Sequence, residues 1–310
     1  MNGMDGELVV IIPTRDRPAY LTQTISALER QEHPADRIVI VDASDSERGE
    51  EVSATCARRL IPITVLKAHV PSLTGQRNQG IDHVLDTMRD VRIVQFMDDD
   101  VLPAPDYLGK VARILAADLS KSIGGVSGVT EHVSSRASAR YEAFMRLFLL
   151  HGGRPGTMRA SGINVPVSRE AKELVEGDWL IGCSAYRVEV LRRLRFWEGQ
   201  HGYVLFEDVE FSVRVARRWR LVVDPSARLW HAQASTHDQD LYLLARQFIR
   251  NRHHVVSRCL PTRGRHLAYW WSTLGYFLFW GTKAAAGHAD AGPRLRGASH
   301  GVRDIIRGRS

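Results

Sequence analysis

Short apolar runs, each ending in polar or acidic residues and each followed by a helical pattern, constrain the fold of this chain most. Leu8–Ile12 (LVVII) is continuously apolar and rich in β-branched residues, as expected of a strand buried on both faces. Arg37–Asp42 (RIVIVD) is a second such run, Arg92–Met97 (RIVQFM) a third, and Ile61–Leu66 a weaker fourth. Between them lie the helical patterns Pro18–Arg30, with Leu21, Ile25 and Leu28 on one face, then Glu47–Leu60 and Thr74–Met88. Pro18 suits the first turn of its helix, where its missing N–H costs nothing. Strands alternating with helices predict right-handed crossovers and an α/β fold with a mainly parallel, Rossmann-like sheet flanked by helices.

A length of 310 residues suits one large domain or two modest ones. With 44% hydrophobic and 25% charged residues the composition is globular and excludes disorder, collagen-like and disulfide-scaffold classes. Cys56, Cys183 and Cys259 are scattered and form no CxxC pair, so neither a zinc knuckle nor a redox dithiol is readable. Reduced thiols in the cytosol are the expectation. The first residues carry two acids and no basic segment, and Leu8–Ile12 is too short for a signal sequence.

In open α/β sheets ligands bind beyond the carboxyl ends of the strands. The three clear strands end in Pro13-Thr14-Arg15-Asp16, in Asp42 and in Asp98-Asp99-Asp100. If the strands are neighbours, these ends converge. No GxGxxG follows the first strand and no GxxxxGK[ST] exists, so dinucleotide and P-loop readings fail. Gly124-Gly125-Val126-Ser127-Gly128 reads as a glycine-spaced loop or strand, with a tight bend favoured.

Three consecutive carboxylates after a buried strand repel one another unless a cation neutralises them. A hard divalent ion shared with substrate phosphates would do so. In an extended segment Asp98 and Asp100 would fall on the same side. A phosphatase of the DxDx(T/V) type is a weaker rival, because Leu102 stands where Thr or Val is expected. Phe206-Glu207-Asp208-Val209-Glu210 opens a helix that should run to about Trp219. Acids are favoured at a helix N-terminus, but three within four residues exceed what capping needs. Asp208 beside apolar neighbours could be a positioned general base.

Taken together, the chain over about residues 7–255 resembles a family 2 glycosyltransferase with the GT-A fold. The resemblance rests on an ordered set: Pro13–Pro18, Asp42, Gln76-Arg77-Asn78-Gln79-Gly80, Asp98–Asp100, Gly182–Arg187, Glu207-Asp208, His231 and Arg250-Asn251-Arg252. It implies a catalytic domain over residues 1–235, with a nucleotide-binding half to about 100 and an acceptor half beyond it, followed by a helical region over 236–310. It places Pro13, Thr14, Asp16, Asp42, Arg77, Asn78, Asp98 and Asp99 against the nucleotide-sugar, with Asp42 on the base. It makes Asp100, Asp98 and His231 metal ligands for Mg2+ or Mn2+, and Asp208 the catalytic base. Glu207 and Trp179 fall on the acceptor side. Processive relatives carry QxxRW, whereas Gln247-Phe248-Ile249-Arg250-Asn251 has Asn in place of Trp, which points to addition of one sugar per encounter.

The tail departs from the body in charge. Residues 231–310 hold 12 Lys/Arg against 4 Asp/Glu, while the remainder is nearly balanced. That asymmetry fits a polyanionic partner. Leu267–Gly281 (LAYWWSTLGYFLFWG) holds seven of the 24 Phe, Trp and Tyr residues. As a helix it would be about 22 Å long, short of the ~30 Å hydrocarbon core. An interfacial helix is favoured over a buried or spanning one, and Arg294–Arg309 adds a basic amphipathic segment. The expectation is thus a nonprocessive, inverting, metal-assisted enzyme on the inner face of a membrane. Its partners would be a nucleotide-sugar donor, a glycan or lipid-linked glycan acceptor and an anionic surface, with a homodimer compatible and no nucleic acid. The alternatives are a noncatalytic membrane- or nucleic-acid-binding protein and a nucleotidyl-transfer enzyme. The latter would want Gly and Lys after the first strand, and Pro13–Pro18 has neither.

Overall fold

The computed structural model describes residues 6–130, 138–199, 205–232 and 240–308. They divide into two compact units, one of residues Met1–His132 with Val167–Ala234, the other of Val133–Pro166 with Ser235–Ser310.

The first unit contains, in chain order, β1 (Glu7–Thr14), α1 (Pro18–Glu29), β2 (Arg37–Asp42), α2 (Ser46–Cys56), β3 (Ile63–Lys67), α3 (Leu73–Thr87), β4 (Val91–Phe96), β5 (Val101–Pro103), α4 (Tyr107–Ala117) and β6 (Ile123–Thr130). The second unit contributes α5 (Ala139–Leu147). The chain then returns to the first for β7 (Val175–Gly177), β8 (Ser184–Arg187), α6 (Val188–Leu191), α7 (Glu207–Val215) and β9 (Arg220–His231). It ends in the second with α8 (Leu241–His254), a π-helical turn (Val255–Cys259), α9 (Arg263–Ala285) and α10 (Ala291–Ile306).

The strands form one sheet in the order β3-β2-β1-β4-β8-β6-β9-β5, with β7 also on β9. Pairing is parallel from β3 through β4 and between β6 and β9. β8 runs antiparallel between β4 and β6, and β5 and β7 run antiparallel to β9. The continuous apolar runs have a direct cause. Leu8, Val10 and Ile12 of β1 pack with Ile38 and Ile40 of β2 and with Leu21, Ile25 and Leu28 of α1 on one face. Val9 and Ile11 pack with Val39, Val41 and the α3 residues Ile81 and Val84 on the other. Side chains alternate across a strand, so a strand covered on both faces must be apolar throughout.

Several boundaries differ from the sequence reading. α2 stops at Cys56, not Leu60, because the backbone is already extended at Ala57, with ψ of 143°, and Arg58 follows in the left-handed region with φ of 55°. α7 stops at Val215, ahead of Trp219. Gly124–Gly128 is no tight bend but the middle of β6. Its glycines are demanded by packing: a Cβ on Gly124 would meet Trp219 at 2.6 Å and one on Gly125 would meet the Tyr186 ring at 2.7 Å. On Gly128 it would collide with the carbonyl oxygen of Ala227.

In the second unit, Ile249, Val256, Tyr269 and Ala298 form the core that joins α8, α9 and α10. Arg246 pairs with Asp304 at 2.7 Å and Arg250 with the same carboxylate at 3.7 Å. Thr262 caps α9 by accepting from the Arg265 N–H, and the helix extends 23 residues, longer than the aromatic run alone. No described helix is long and apolar enough to cross a membrane.

Candidate active site

Because β2, β1 and β4 are adjacent and parallel, their carboxyl ends converge as anticipated. Thr14 and Asp42 stand opposite each other in the β1–β2 register. The Gln76 amide on α3 donates to the carbonyls of Thr14 at 2.9 Å and Val41 at 2.7 Å, tying the helix start to both strand ends. Gly80, one turn on, lets α3 lie against β1, since a Cβ there would meet Ile11 at 2.6 Å. Asp42 is buried, and its Oδ1 accepts from the Ser44 N–H at 2.9 Å. Asp16 has φ of 57°, and its own N–H donates to Ser44 Oγ at 2.8 Å. Pro13 is the penultimate residue of β1.

The acidic triplet does not run on as an extended segment. Asp99 and Asp100 lie in a turn between β4 and β5, and the charges of Asp100 and Asp98 both raise the His231 pKa. Each carboxylate has its own setting. Asp98 accepts from Arg77 Nη2 at 3.0 Å. Asp99 is buried and accepts from the Thr14 hydroxyl at 2.7 Å. Burial pushes the Asp99 carboxyl up to about 6, against the Thr14 hydrogen bond and Arg17, which pull it down. Asp100 lies 3.4 Å from Arg17 Nη1 and 3.6 Å from His231 Nδ1. The antiparallel register of β5 on β9, which sets Val101 opposite His231, brings that histidine to the acidic turn. Asp100 raises the His231 pKa by hydrogen bonding, against the burial that lowers it.

Arg77 is fully buried. Its guanidinium pairs with Asp98 and, at 3.3 Å through Nη1, with Glu207. It also lies over the rings of Phe196 at 5.3 Å and Phe96 at 5.9 Å. Burial alone would depress its pKa, and the two carboxylates outweigh that. Asn78 is equally committed, donating to the Phe196 carbonyl at 2.9 Å and Glu198 Oε1 at 2.5 Å while accepting from the Phe196 N–H at 2.9 Å.

Glu207 and Asp208 open α7 from Phe206, which sits in the left-handed region with φ of 68°. A bulky residue held there costs about 1–3 kcal/mol and marks a locally over-determined turn. Burial pushes both carboxyls upward, with Asp208 adding to the rise of Glu207 and Arg77 opposing both. Trp179 is buried.

Among the described residues no cluster of three or more His, Cys, Asp or Glu side chains could hold a metal by itself. Asp100 and His231 still offer an oxygen and a nitrogen donor side by side. That pair suits Mg2+ or Mn2+ when phosphate oxygens and water complete the shell. Sequence reasoning passed over Arg17, the cation beside Asp99 and Asp100. Its only sequence signal is its place in the Thr14–Pro18 stretch. Cys183, whose Sγ accepts from the Asp98 N–H at 3.4 Å, has no signal beyond its place in the Gly182–Arg187 stretch.

The family model described as "Glycosyltransferase like family 2" matches residues 6–251. No curated protein matches the chain by sequence. Among solved structures, the mannosyltransferase PcManGT from Pyrobaculum calidifontis, in complex with GDP-Man and Mn2+, is 18% identical with a TM-score of 0.58, over 97% of this chain and 81% of that one. GalNAc-T7 with UDP, GalNAc and Mn2+ is 14% identical with a TM-score of 0.54, over 73% of this chain and 43% of that one. S. aureus TarS is 15% identical with a TM-score of 0.49, over 88% of this chain and 42% of that one. The chain thus spans under half the length of GalNAc-T7 and of TarS.

Proposed function

Because the chain belongs to glycosyltransferase-like family 2 and has the GT-A fold, we propose that it moves a sugar from a nucleotide-sugar donor to a hydroxyl of a glycan or lipid-linked glycan, one sugar per encounter and with inversion. The observation that carries this reading is the hydrogen bond from Thr14 at the end of β1 to Asp99 in the acidic turn, with Asp42 alongside Thr14. It supports a nucleoside lying across the strand ends, where open α/β sheets take ligands.

In this reading residues 1–100 hold the donor, with Thr14, Asp16 and Asp42 facing the nucleoside and Pro13 shaping the strand end. Residues 101–235 form the acceptor side, where Glu207 and Trp179 stand. Asp208, lifted by burial, takes the acceptor hydroxyl proton as the oxygen attacks the anomeric carbon. Arg77 and Asn78, which the resemblance set against the nucleotide-sugar, are both buried and committed to protein partners, so in this reading they act by holding the acidic turn, the α7 start and the 196–198 segment in register. Asp100 and His231, with Asp98, would hold Mg2+ or Mn2+. When bound, such an ion supplies charge stabilisation for the departing diphosphate. The basic C-terminal region, 236–310, meets an anionic membrane surface from the cytoplasmic side.

The test is a panel of UDP-, GDP- and dTDP-sugars with Mn2+ or Mg2+, read by thermal shift and by release of the nucleoside diphosphate. A thermal shift and diphosphate release confined to one base would support the reading. No shift with any donor, with or without metal, would sink it.

A further inference from the structure

α9 is amphipathic the wrong way round for a helix facing water. Its buried positions are Tyr269, Ser272, Thr273 and Gly275. Its exposed positions from Gly264 to Leu278 are Gly264, Leu267, Trp270, Trp271, Leu274 and Leu278, all uncharged. Leu267 is 72% exposed, Leu274 47% and Leu278 45%. Spacings of three and four residues put these side chains on one stripe. A surface helix of a soluble unit shows the opposite pattern, with its apolar stripe turned inward. α9 cannot simply roll to hide the stripe. Its inner face is pinned by the Tyr269 hydroxyl, which donates to the Ile249 carbonyl at 2.9 Å, and by Thr273, which accepts from Arg252 at 2.7 Å. The stripe is broadened by α5, since the Trp271 indole N–H donates to the Leu147 carbonyl at 2.9 Å and Leu147 is itself exposed.

The surroundings of the stripe are strongly basic. The described residues of this unit, 138–166 and 240–308, carry 15 Lys/Arg against 4 Asp/Glu. Arg263 is exposed on the same helix and Arg146 is exposed beside Leu147. An apolar stripe with Trp at its centre and cations at its margins complements one kind of surface: apolar within, negative at its face. The stripe offers on the order of 500 Å2, below the ~800 Å2 per partner of a standard protein interface. A second copy of the chain is therefore the weaker occupant.

We infer that the Leu267-Trp270-Trp271-Leu274-Leu278 face of α9, with Leu147, is a lipid-docking surface that lies in the plane of an anionic membrane at headgroup depth. The inference rests on the proposed function only in setting the acceptor at a lipid surface, and it deepens that reading by naming the face that docks.

The experiment is sedimentation of the full chain with vesicles of phosphatidylcholine containing phosphatidylglycerol, set against phosphatidylcholine alone, at low and high salt. The intact chain should bind the anionic vesicles, and high salt should weaken but not abolish binding. The triple change Leu267→Ser, Leu274→Ser and Leu278→Ser should lower the partition coefficient by at least on the order of tenfold. Should the triple variant fail to fold, quenching of the unaltered chain's tryptophan fluorescence by brominated lipid decides the matter. Quenching should occur, and should fall in Trp270→Phe and Trp271→Phe. Equal binding by a folded triple variant, absence of quenching, or a solution dimer that the triple change dissociates while vesicles are ignored would each overturn the inference. Diphosphate release from nucleotide-sugars, assayed without vesicles, separates the two readings. Release without vesicle binding defeats the docking face alone, and vesicle binding without release from any donor defeats the enzymatic reading alone.

Discussion

The buried guanidinium of Arg77 joins Asp98, after β4, to Glu207, at the first residue of α7, at 3.0 and 3.3 Å. Those carboxylates are 109 residues apart in the chain, and one cation sets the spacing between the acidic turn and the helix that carries Asp208. Removing one member of a buried ion pair leaves the others uncompensated and costs about 3–5 kcal/mol. Arg77→Met should therefore lower stability by that order in urea unfolding. The same change made on an Asp98→Asn, Glu207→Gln background should cost clearly less. Equal losses in both backgrounds would mean that Arg77 acts through its packing on Phe96 and Phe196.

Asp208→Asn keeps the shape of the side chain and removes its proton-accepting power. Turnover should fall at least on the order of 10²-fold while donor affinity, read by thermal shift, stays within a few fold. Normal turnover would reduce Asp208 to a helix-start acid.

The pH profile follows from the same group. A base works only when deprotonated, so activity should be present at neutral pH and be lost as pH falls through its pKa. Burial raises that pKa, so the acidic limb of kcat should lie well above the ~4 of an ordinary carboxylate. The limb should vanish from the residual activity of Asp208→Asn. A limb near 4 in the native protein would contradict a buried base.

Donor binding should need a divalent ion and be lost in excess EDTA. Asp100→Ala and His231→Ala should each raise the Mn2+ concentration needed for half-maximal thermal shift. Asp99→Ala should affect metal dependence less, because its carboxylate is turned to Thr14. Full donor binding in EDTA would remove the metal from the mechanism.

Gly80→Ala tests how α3 is seated. The added methyl would meet Ile11 at 2.6 Å, and overpacking of this kind costs about 1–3 kcal/mol. A loss of stability with donor affinity also reduced is expected, since Gln76 and Arg77 ride on the displaced turn. Unchanged stability would show that the helix yields freely.

Much of the first unit was legible because its determinants are local. β1 and β2 declare themselves through unbroken apolar runs, and those runs are unbroken because both faces are covered. The strand-end residues Thr14, Asp42 and Asp99 were legible for the same reason, since parallel neighbours bring their ends together. What escaped depends on distant partners. Nothing near Arg77 announces Glu207, 130 residues on. Gly124–Gly128 reads as a bend until Trp219, Tyr186 and Ala227 are seen to press against it. The alternation of Asp98 and Asp100 reads as an extended segment, but the chain turns at Asp99 and Asp100.

β9 is hydrogen-bonded to β6, β5 and β7, and His231 is its last residue. Side chains alternate across a strand, so the face that His231 presents is a matter of parity. Inserting or deleting a single residue between the β6–β9 pairing and His231 would turn the imidazole to the opposite side of the sheet, away from Asp100. A change of two residues would preserve the face and shift only the depth. Among homologous chains, length variation within this strand should therefore come in even steps, or be absorbed at the register shift between Ser127 and Val129 on the facing strand.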